Sequence, residues 1–157
     1  PVTINKDRLS MLQDHLLLFF TGTTRYATDI EKEKINNIKS KVKTFNRLSE
    51  LTEEAITILN NGGDLIDFGR LLDEGWELKK SLTGLVSNGA IDNIYETAMK
   101  NGAVGGKMLG AGGGGFMLFF VEPVNREHLL KVFDHLLHVP FRFEFTGSQI
   151  IYYREMG

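Results

Sequence analysis

With 157 residues the chain has the length of one ordinary domain and can bury a core without metal or disulfide staples. Its 42% apolar and 24% charged residues argue against disorder, and a net charge of −2 argues against a nucleic-acid grip that depends on an overall basic field. Cysteine is absent, which removes disulfides, thiolate metal sites and cysteine nucleophiles, and the longest apolar run, Phe116 to Val121, is too short to cross a bilayer. The N-terminus lacks the basic-then-apolar pattern of a signal peptide, so a cytoplasmic protein is the expectation. A chain that opens at Pro1 directly into Val2-Thr3-Ile4, which reads as a short strand, is expected to be a mature cut or a piece of something longer.

In chain order, a polar helix is expected over Lys6 to Asp14, followed by His15-Leu-Leu-Leu-Phe-Phe20, an apolar run closed by Thr21-Gly22 that reads as a buried strand entering a turn. Thr28-Asp-Ile-Glu31 resembles a capping box, with Thr23 or Thr24 as earlier starts. The charged helix it opens is expected to run to about Phe45 with Ile30, Ile35, Ile38 and Val42 on one face. Ser49 to Leu59 reads as a second helix, ended by Asn60-Asn61-Gly62-Gly63. Asp64 is placed to cap a third, in which Leu65, Phe68, Leu72, Trp76 and Leu82 mark one buried face. Gly69 and Gly75 inside that helix point to close packing.

Ile91 to Met99 reads as a further helix stopped by Asn101-Gly102, and Phe116 to Val121 as a second buried strand ended by Glu122-Pro123. A helix is expected over Arg126 to Leu137. The alternation of Phe141-Arg-Phe-Glu-Phe145 predicts a strand, and Thr146-Gly147-Ser148 a turn into a last strand, Gln149 to Tyr153. No internal repeat or Pro/Ser-rich linker divides residues 1–157. The whole reads as a single α+β domain with about four strands.

Eight of the 17 glycines fall between Gly102 and Gly115, and this is the informative segment. A Walker loop is excluded, because Asn101 and Met108 stand where Gly and Ser/Thr are required around Gly106-Lys107. Gly110-Ala-Gly112-Gly-Gly-Gly115 fits the spacing of a dinucleotide fingerprint. That mechanism needs a strand before and a helix after, whereas the expected order here is helix, loop, strand. The remaining reading is a helix-to-strand loop whose bare amides form an anion-accepting concavity, with Lys107 adding a cation beside it. A flexible or merely packed loop is the alternative.

Gly106-Lys-Met-Leu-Gly-Ala-Gly-Gly-Gly-Gly-Phe116 closely resembles the third motif of the GHMP small-molecule kinases. Leu17-Leu-Phe-Phe-Thr-Gly22 with Arg25, Trp76-Glu-Leu-Lys-Lys80, Ile91-Asp92 and Ala103-Val-Gly-Gly-Lys107 look like the sugar-kinase branch that includes D-glycero-D-manno-heptose 7-phosphate kinase. Asp73 stands where that branch often carries His. The resemblance implies a ferredoxin-like antiparallel sheet backed by helices, forming the C-terminal half of a two-domain kinase. It implies ATP and Mg²⁺ as cofactors, held mainly by an N-terminal domain that also carries the phosphate-binding loop and the general base. It implies a small-molecule sugar phosphate as acceptor, with neither nucleic acid nor membrane as partner, and a half that is inactive alone.

On this reading Gly110, Ala111, Gly112, Gly113, Gly114 and Gly115 line the cleft between the domains. Lys107 and Arg25 are candidate contacts to a substrate phosphate; a solvated lysine and a surface ion pair are the respective alternatives. A non-catalytic small-molecule-binding or regulatory module on the same fold is the alternative for the whole chain. His15, His128, His135 and His138 form no recognisable metal set, although the last three are expected on one helix. Glu53-Glu54 and Asp73-Glu74 read as solvated pairs, whereas Phe141, Phe143, Phe145 and Trp76 read as core.

Overall fold

Leu16–Phe20 forms strand β1, in which alternate side chains enter two apolar layers: Leu17 and Phe19 on one face, Leu16 on the other. This is a computed structural model, and it describes residues 2–22, 27–145 and 147, without the side chains of Ala27 and Asp29. Helix α1, Lys6–Asp14, precedes β1 with Asn5 as its side-chain N-cap. Residues 2–4 are not part of a strand; instead the amide of Thr3 donates to Asn60 Oδ1 at 2.7 Å.

After β1 come α2, Ala27–Asn37, and α3, Val42–Asn61, separated by a 3-10 turn at Ile38–Ser40. The single long helix expected to Phe45 is therefore broken, and its face is not buried: Ile30 is enclosed, but Ile35, Ile38 and Val42 are exposed. Side-chain bonds to the backbone compete with the helical ladder at the break. Ser40 Oγ donates to the Asn37 carbonyl, and Asn37 Nδ2 to the Leu82 carbonyl. Thr28 lies inside α2, which is described from Ala27, so it is not the cap.

Helix α3 ends on Gly62 in the left-handed conformation, φ +76°. Two of its last carbonyl groups are covered from α1, since Arg8 donates to Ile58 at 2.8 Å and to Leu59 at 3.2 Å, and Arg8 also donates to Gly63 just beyond the helix. Arg8→Met is expected to lower unfolding free energy by about 1.5–3 kcal/mol in denaturant titrations, the range for hydrogen bonds to a charged donor. A change under about 0.5 kcal/mol would show that water replaces it.

Asp64 caps α4, Leu65–Leu82, by accepting from the Ile66 amide at 2.9 Å. Helix α5, Gly89–Lys100, is capped by Asn88. Strand β2, Ala103–Met108, then occupies the first part of the glycine cluster, which the sequence reads as loop. It pairs antiparallel with β3, Phe116–Val121, through a bulge between Ala103 and Gly105. Glycine weakens strands, so nothing local marks β2; the ladder to β3 makes it a strand.

Helix α6, Pro123–Val132, stops short of Leu137. Leu137–His138 is instead β4, paired with Phe19 and Phe20 of β1, and the Val139 amide donates to the Leu18 carbonyl. The open edge of β1 takes the segment over from the helix, which is tertiary pairing overriding local propensity. Residues 141–145 form no strand: Phe141 packs on the second apolar layer, while Phe143 and Phe145 are exposed and do not belong to a core face. The strand expected over 149–153, with residues 146 and 148 of the turn before it, lies outside the described residues.

The sheet is antiparallel, ordered β2-β3-β1-β4. With a helical excursion between β1 and β2 and another between β3 and β4, this is the ferredoxin-like βαββαβ arrangement. Its first apolar layer joins Ile91, Tyr95 and Ala98 of α5 and Leu129 of α6 to Phe19, Phe119 and Val121 of the sheet. The second sets Leu12 of α1 and Leu65 of α4 on Leu16 and Phe120. Trp76 of α4 is fully buried in the first layer. The fold is α+β, as expected.

Candidate functional site

Residues 109–115 connect β2 to β3, closed at the base by the Leu109 amide donating to the Phe116 carbonyl at 2.8 Å. The glycine segment is thus a hairpin loop between two strands rather than a helix-to-strand loop. A strand does precede it, but no helix follows, so the dinucleotide fingerprint still lacks its helix N-terminus.

Gly110, Gly112, Gly113, Gly114 and Gly115 all have positive φ, from +68° to +159°. Side chains other than glycine reach this region only with strain, which accounts for the run of glycines. Space matters at one of them in particular: a Cβ on Gly112 would lie 2.8 Å from the Val86 carbonyl oxygen. The Gly113 amide donates to that same carbonyl at 2.7 Å, and Thr21 Oγ1 donates to the Gly115 carbonyl at 3.0 Å. The loop is therefore seated on the 83–88 connection and on the residue that follows β1.

Its carbonyl side is held by two lysines. Lys79 Nζ of α4 donates to the carbonyls of Met108 and Gly110, at 3.0 and 2.6 Å. Lys34 Nζ of α2, 12% exposed, donates to the Ala111 carbonyl at 2.9 Å and pairs with Glu31 at 2.9 Å. In a planar trans peptide the N–H points opposite to the C=O. Holding the Gly110 and Ala111 carbonyls toward the lysines therefore turns the Ala111 and Gly112 amides the other way. Among the described residues no acceptor meets the amides of Gly110, Ala111, Gly112, Gly114 or Gly115. Such a concavity of unsatisfied N–H groups suits anionic oxygen.

Lys107 of β2 lines the same cavity as Lys34, Lys79 and Glu31, a space of about 500 Å³ between α2, α3 and α4. Burial, followed by repulsion from Lys34 and Lys107, pulls Lys79 down to about 8. Sequence reasoning placed Lys107 here and missed Lys34 and Lys79. A signal was present: Lys34 follows Ile30 by four residues and Lys79 follows Trp76 by three, so each shares a helical face with a buried residue. Arg25, the other candidate phosphate contact, lies outside the described residues.

Asp73 lies elsewhere, accepting from the Tyr95 hydroxyl at 2.5 Å beside Glu77 and Asp92 in a second cavity. Burial, and then that bond, push the Tyr95 phenol up. Glu74 and Glu54 are not merely solvated, since both pair with Arg47, which holds Glu74 below the usual carboxylate range. The histidines do not share one helix: His128 is in α6, His135 follows it and His138 is in β4. Among the described residues no three His, Asp or Glu side chains converge as a metal site, and no helix is long and apolar enough to cross a membrane.

The profile of the family described as GHMP kinases C terminal matches residues 50–134. The chain is 37% identical over 134 residues to D-glycero-alpha-D-manno-heptose 7-phosphate kinase of Campylobacter jejuni, covering 83% of this chain and 39% of that protein. It is 27% identical over 135 residues to the bifunctional fucokinase/GDP-fucose pyrophosphorylase of Arabidopsis thaliana, covering 83% of this chain and 13% of that one. The structure of Methanococcus jannaschii mevalonate kinase superposes with a TM-score of 0.70 at 24% identity, over 87% of this chain and 42% of that chain, a likeness of fold alone. This chain thus spans 39% and 13% of the length of the first two relatives. The chain belongs to the GHMP kinase C-terminal domain family, whose match runs from within α3 through the glycine hairpin to α6.

Proposed function

We propose that the chain is the C-terminal half of an ATP-dependent sugar kinase acting on a sugar phosphate such as D-glycero-D-manno-heptose 7-phosphate, in the cytoplasm, and inactive without its N-terminal half. The observation that carries this reading is the hairpin 109–115: five residues at positive φ, the Gly110 and Ala111 carbonyls drawn to one side by Lys79 and Lys34, and the Ala111 and Gly112 amides turned to the other with no acceptor among the described residues. That arrangement fits phosphate oxygens. The heptose-phosphate kinase relative supports the acceptor class.

ATP supplies the transferable γ-phosphoryl group when bound. The amides of residues 110, 111, 112, 114 and 115 would hold developing negative charge on phosphate oxygens, and Lys107 would contact the phosphate that the acceptor already carries. Phosphoryl transfer depends mainly on such positioning and charge stabilisation. As the family resemblance implies, Mg²⁺ and the base that takes the hydroxyl proton are assigned to the N-terminal half.

The test is phosphoryl transfer from ATP to D-glycero-D-manno-heptose 7-phosphate by the complete protein, with the 1,7-bisphosphate as product and this chain alone as control. Turnover by the complete protein and none by the chain is expected. Micromolar sugar-phosphate binding by the chain alone, with no transfer by the complete protein, would overturn the kinase reading in favour of a non-catalytic binding module.

A further inference from the structure

The cavity beneath the glycine hairpin carries a charge imbalance that the loop does not use up. Lys34, Lys79 and Lys107 bring three ammonium groups to it, and Glu31 brings the one carboxylate among its lining residues. Each ammonium has three donors. Lys79 directs two at the Met108 and Gly110 carbonyls, and Lys34 directs two at Glu31 and Ala111, leaving one on each. Among the described residues Lys107 Nζ meets no acceptor, which leaves all three of its donors. The result is an excess of two positive charges with five uncommitted donors around a half-buried space.

We propose that Lys34, Lys79 and Lys107 form a subsite for the dianionic phosphate of a phosphate monoester, on the carbonyl side of the hairpin and separate from its amide side. The inference rests on the sugar-kinase reading and deepens it: the subsite would grip the phosphate the acceptor already carries, while the amides face the group being transferred. Two formal negative charges match the excess of two positive ones, and three acceptor oxygens match the donor supply. Beyond the lysines the floor is apolar, formed by residues such as Leu48, Phe68 and Leu72. The body attached to the phosphate is therefore either a sugar presenting its C–H face or a hydrocarbon chain.

The groups facing Lys79 are Lys34 and Glu31 from α2 and Lys107 from β2. With Lys79 free at about 8, the binding-competent cation is present below that pH and lost above it. A dianion raises the ammonium again, so binding takes up a proton near pH 8. Phosphate monoesters lose their second proton near pH 6. Affinity should therefore be greatest between about 6 and 8, and fall about tenfold from pH 7 to 9 as Lys79 empties.

The experiment titrates the 157-residue chain with mannose 6-phosphate, hexyl phosphate and inorganic phosphate, followed by calorimetry and by the lysine ε-carbon NMR shifts. Saturable millimolar binding is expected, with the pH profile above. Binding should weaken at least tenfold in Lys107→Met, which removes no bond within the described fold, and in Lys79→Met, whose profile should also lose its fall above pH 8. Mannose 6-phosphate binding tighter than hexyl phosphate supports the sugar acceptor; the reverse order keeps the subsite and assigns it a hydrocarbon body.

Absence of saturation at tens of millimolar overturns the subsite, as does unchanged affinity in a folded Lys107→Met. A complete protein that phosphorylates the heptose while its C-terminal chain shows no lysine-dependent binding removes the subsite and leaves the kinase reading intact. Lysine-dependent binding without turnover does the opposite.

Discussion

Gly112→Ala is expected to lower kcat of the complete kinase about 10²–10³-fold, the cost usual for losing preorganised donors to developing charge. The methyl group would lie 2.8 Å from the Val86 carbonyl oxygen, which already accepts from the Gly113 amide, at a φ of +114°. Both crowding and backbone strain push the hairpin off its seat, so the Ala111 and Gly112 amides lose their orientation. The strain should cost about 1–3 kcal/mol of stability, which a loop can relieve by moving while the sheet stays folded. Gly110→Asn is the control. Its φ of +68° is one that asparagine tolerates, and a Cβ there meets nothing within 4 Å. Steady-state kinetics and thermal melts of both variants check the prediction. Gly112→Ala with wild-type kcat would mean that the hairpin amides do not face the transferred group.

Gly105→Ala should produce the largest loss of stability, about 3 kcal/mol or more, and lower Tm by roughly 6–12 °C for a domain of this size. Helix α4 crosses strand β2 at this point. A Cβ on Gly105 would overlap the Gly69 carbonyl oxygen and lie 2.9 Å from the Asp73 amide, both helix backbone that cannot rotate away. Gly69 completes the contact from the other side, where a Cβ would stand 2.6 Å from the Phe120 ring.

Gly75 looks equivalent in sequence and is not: a Cβ there would meet only Leu51 Cδ1, at 3.8 Å. Gly75→Ala should therefore stabilise the chain by about 0.5–1 kcal/mol, the helix-propensity difference. The pair separates packing from propensity, and equal effects in chemical denaturation would sink this account of the α4–β2 crossing.

The contrast between Gly69 and Gly75 shows how the sequence is to be read. Strong local patterns translated directly: β1 and β3 as buried runs, Asp64 as a cap, Gly62 as a helix end, and Trp76 on the inner face of α4. Each of these depends on a few neighbouring residues, so periodicity and end signals suffice. β4 and the break between α2 and α3 were illegible because their causes are distant in sequence. The edge of β1 recruits Leu137–His138, and the Leu82 carbonyl accepts from Asn37. The alternation at residues 141–145 misled because periodicity alone does not supply a partner: among the described residues, these positions pair with no strand.

At the candidate site, the sequence by itself determined that a run of bare backbone lies before a buried strand with a lysine beside it, because only glycine permits successive positive φ values. Tertiary structure decided the rest. Pairing with β3 turned Ala103–Met108 into a strand and the remaining glycines into a hairpin, and the packing of α2 and α4 carried Lys34 and Lys79 to its carbonyl side. Those lysines lie 77 and 31 residues from the carbonyls they hold. No local pattern encodes which way an amide faces when the group that orients it arrives from so far along the chain.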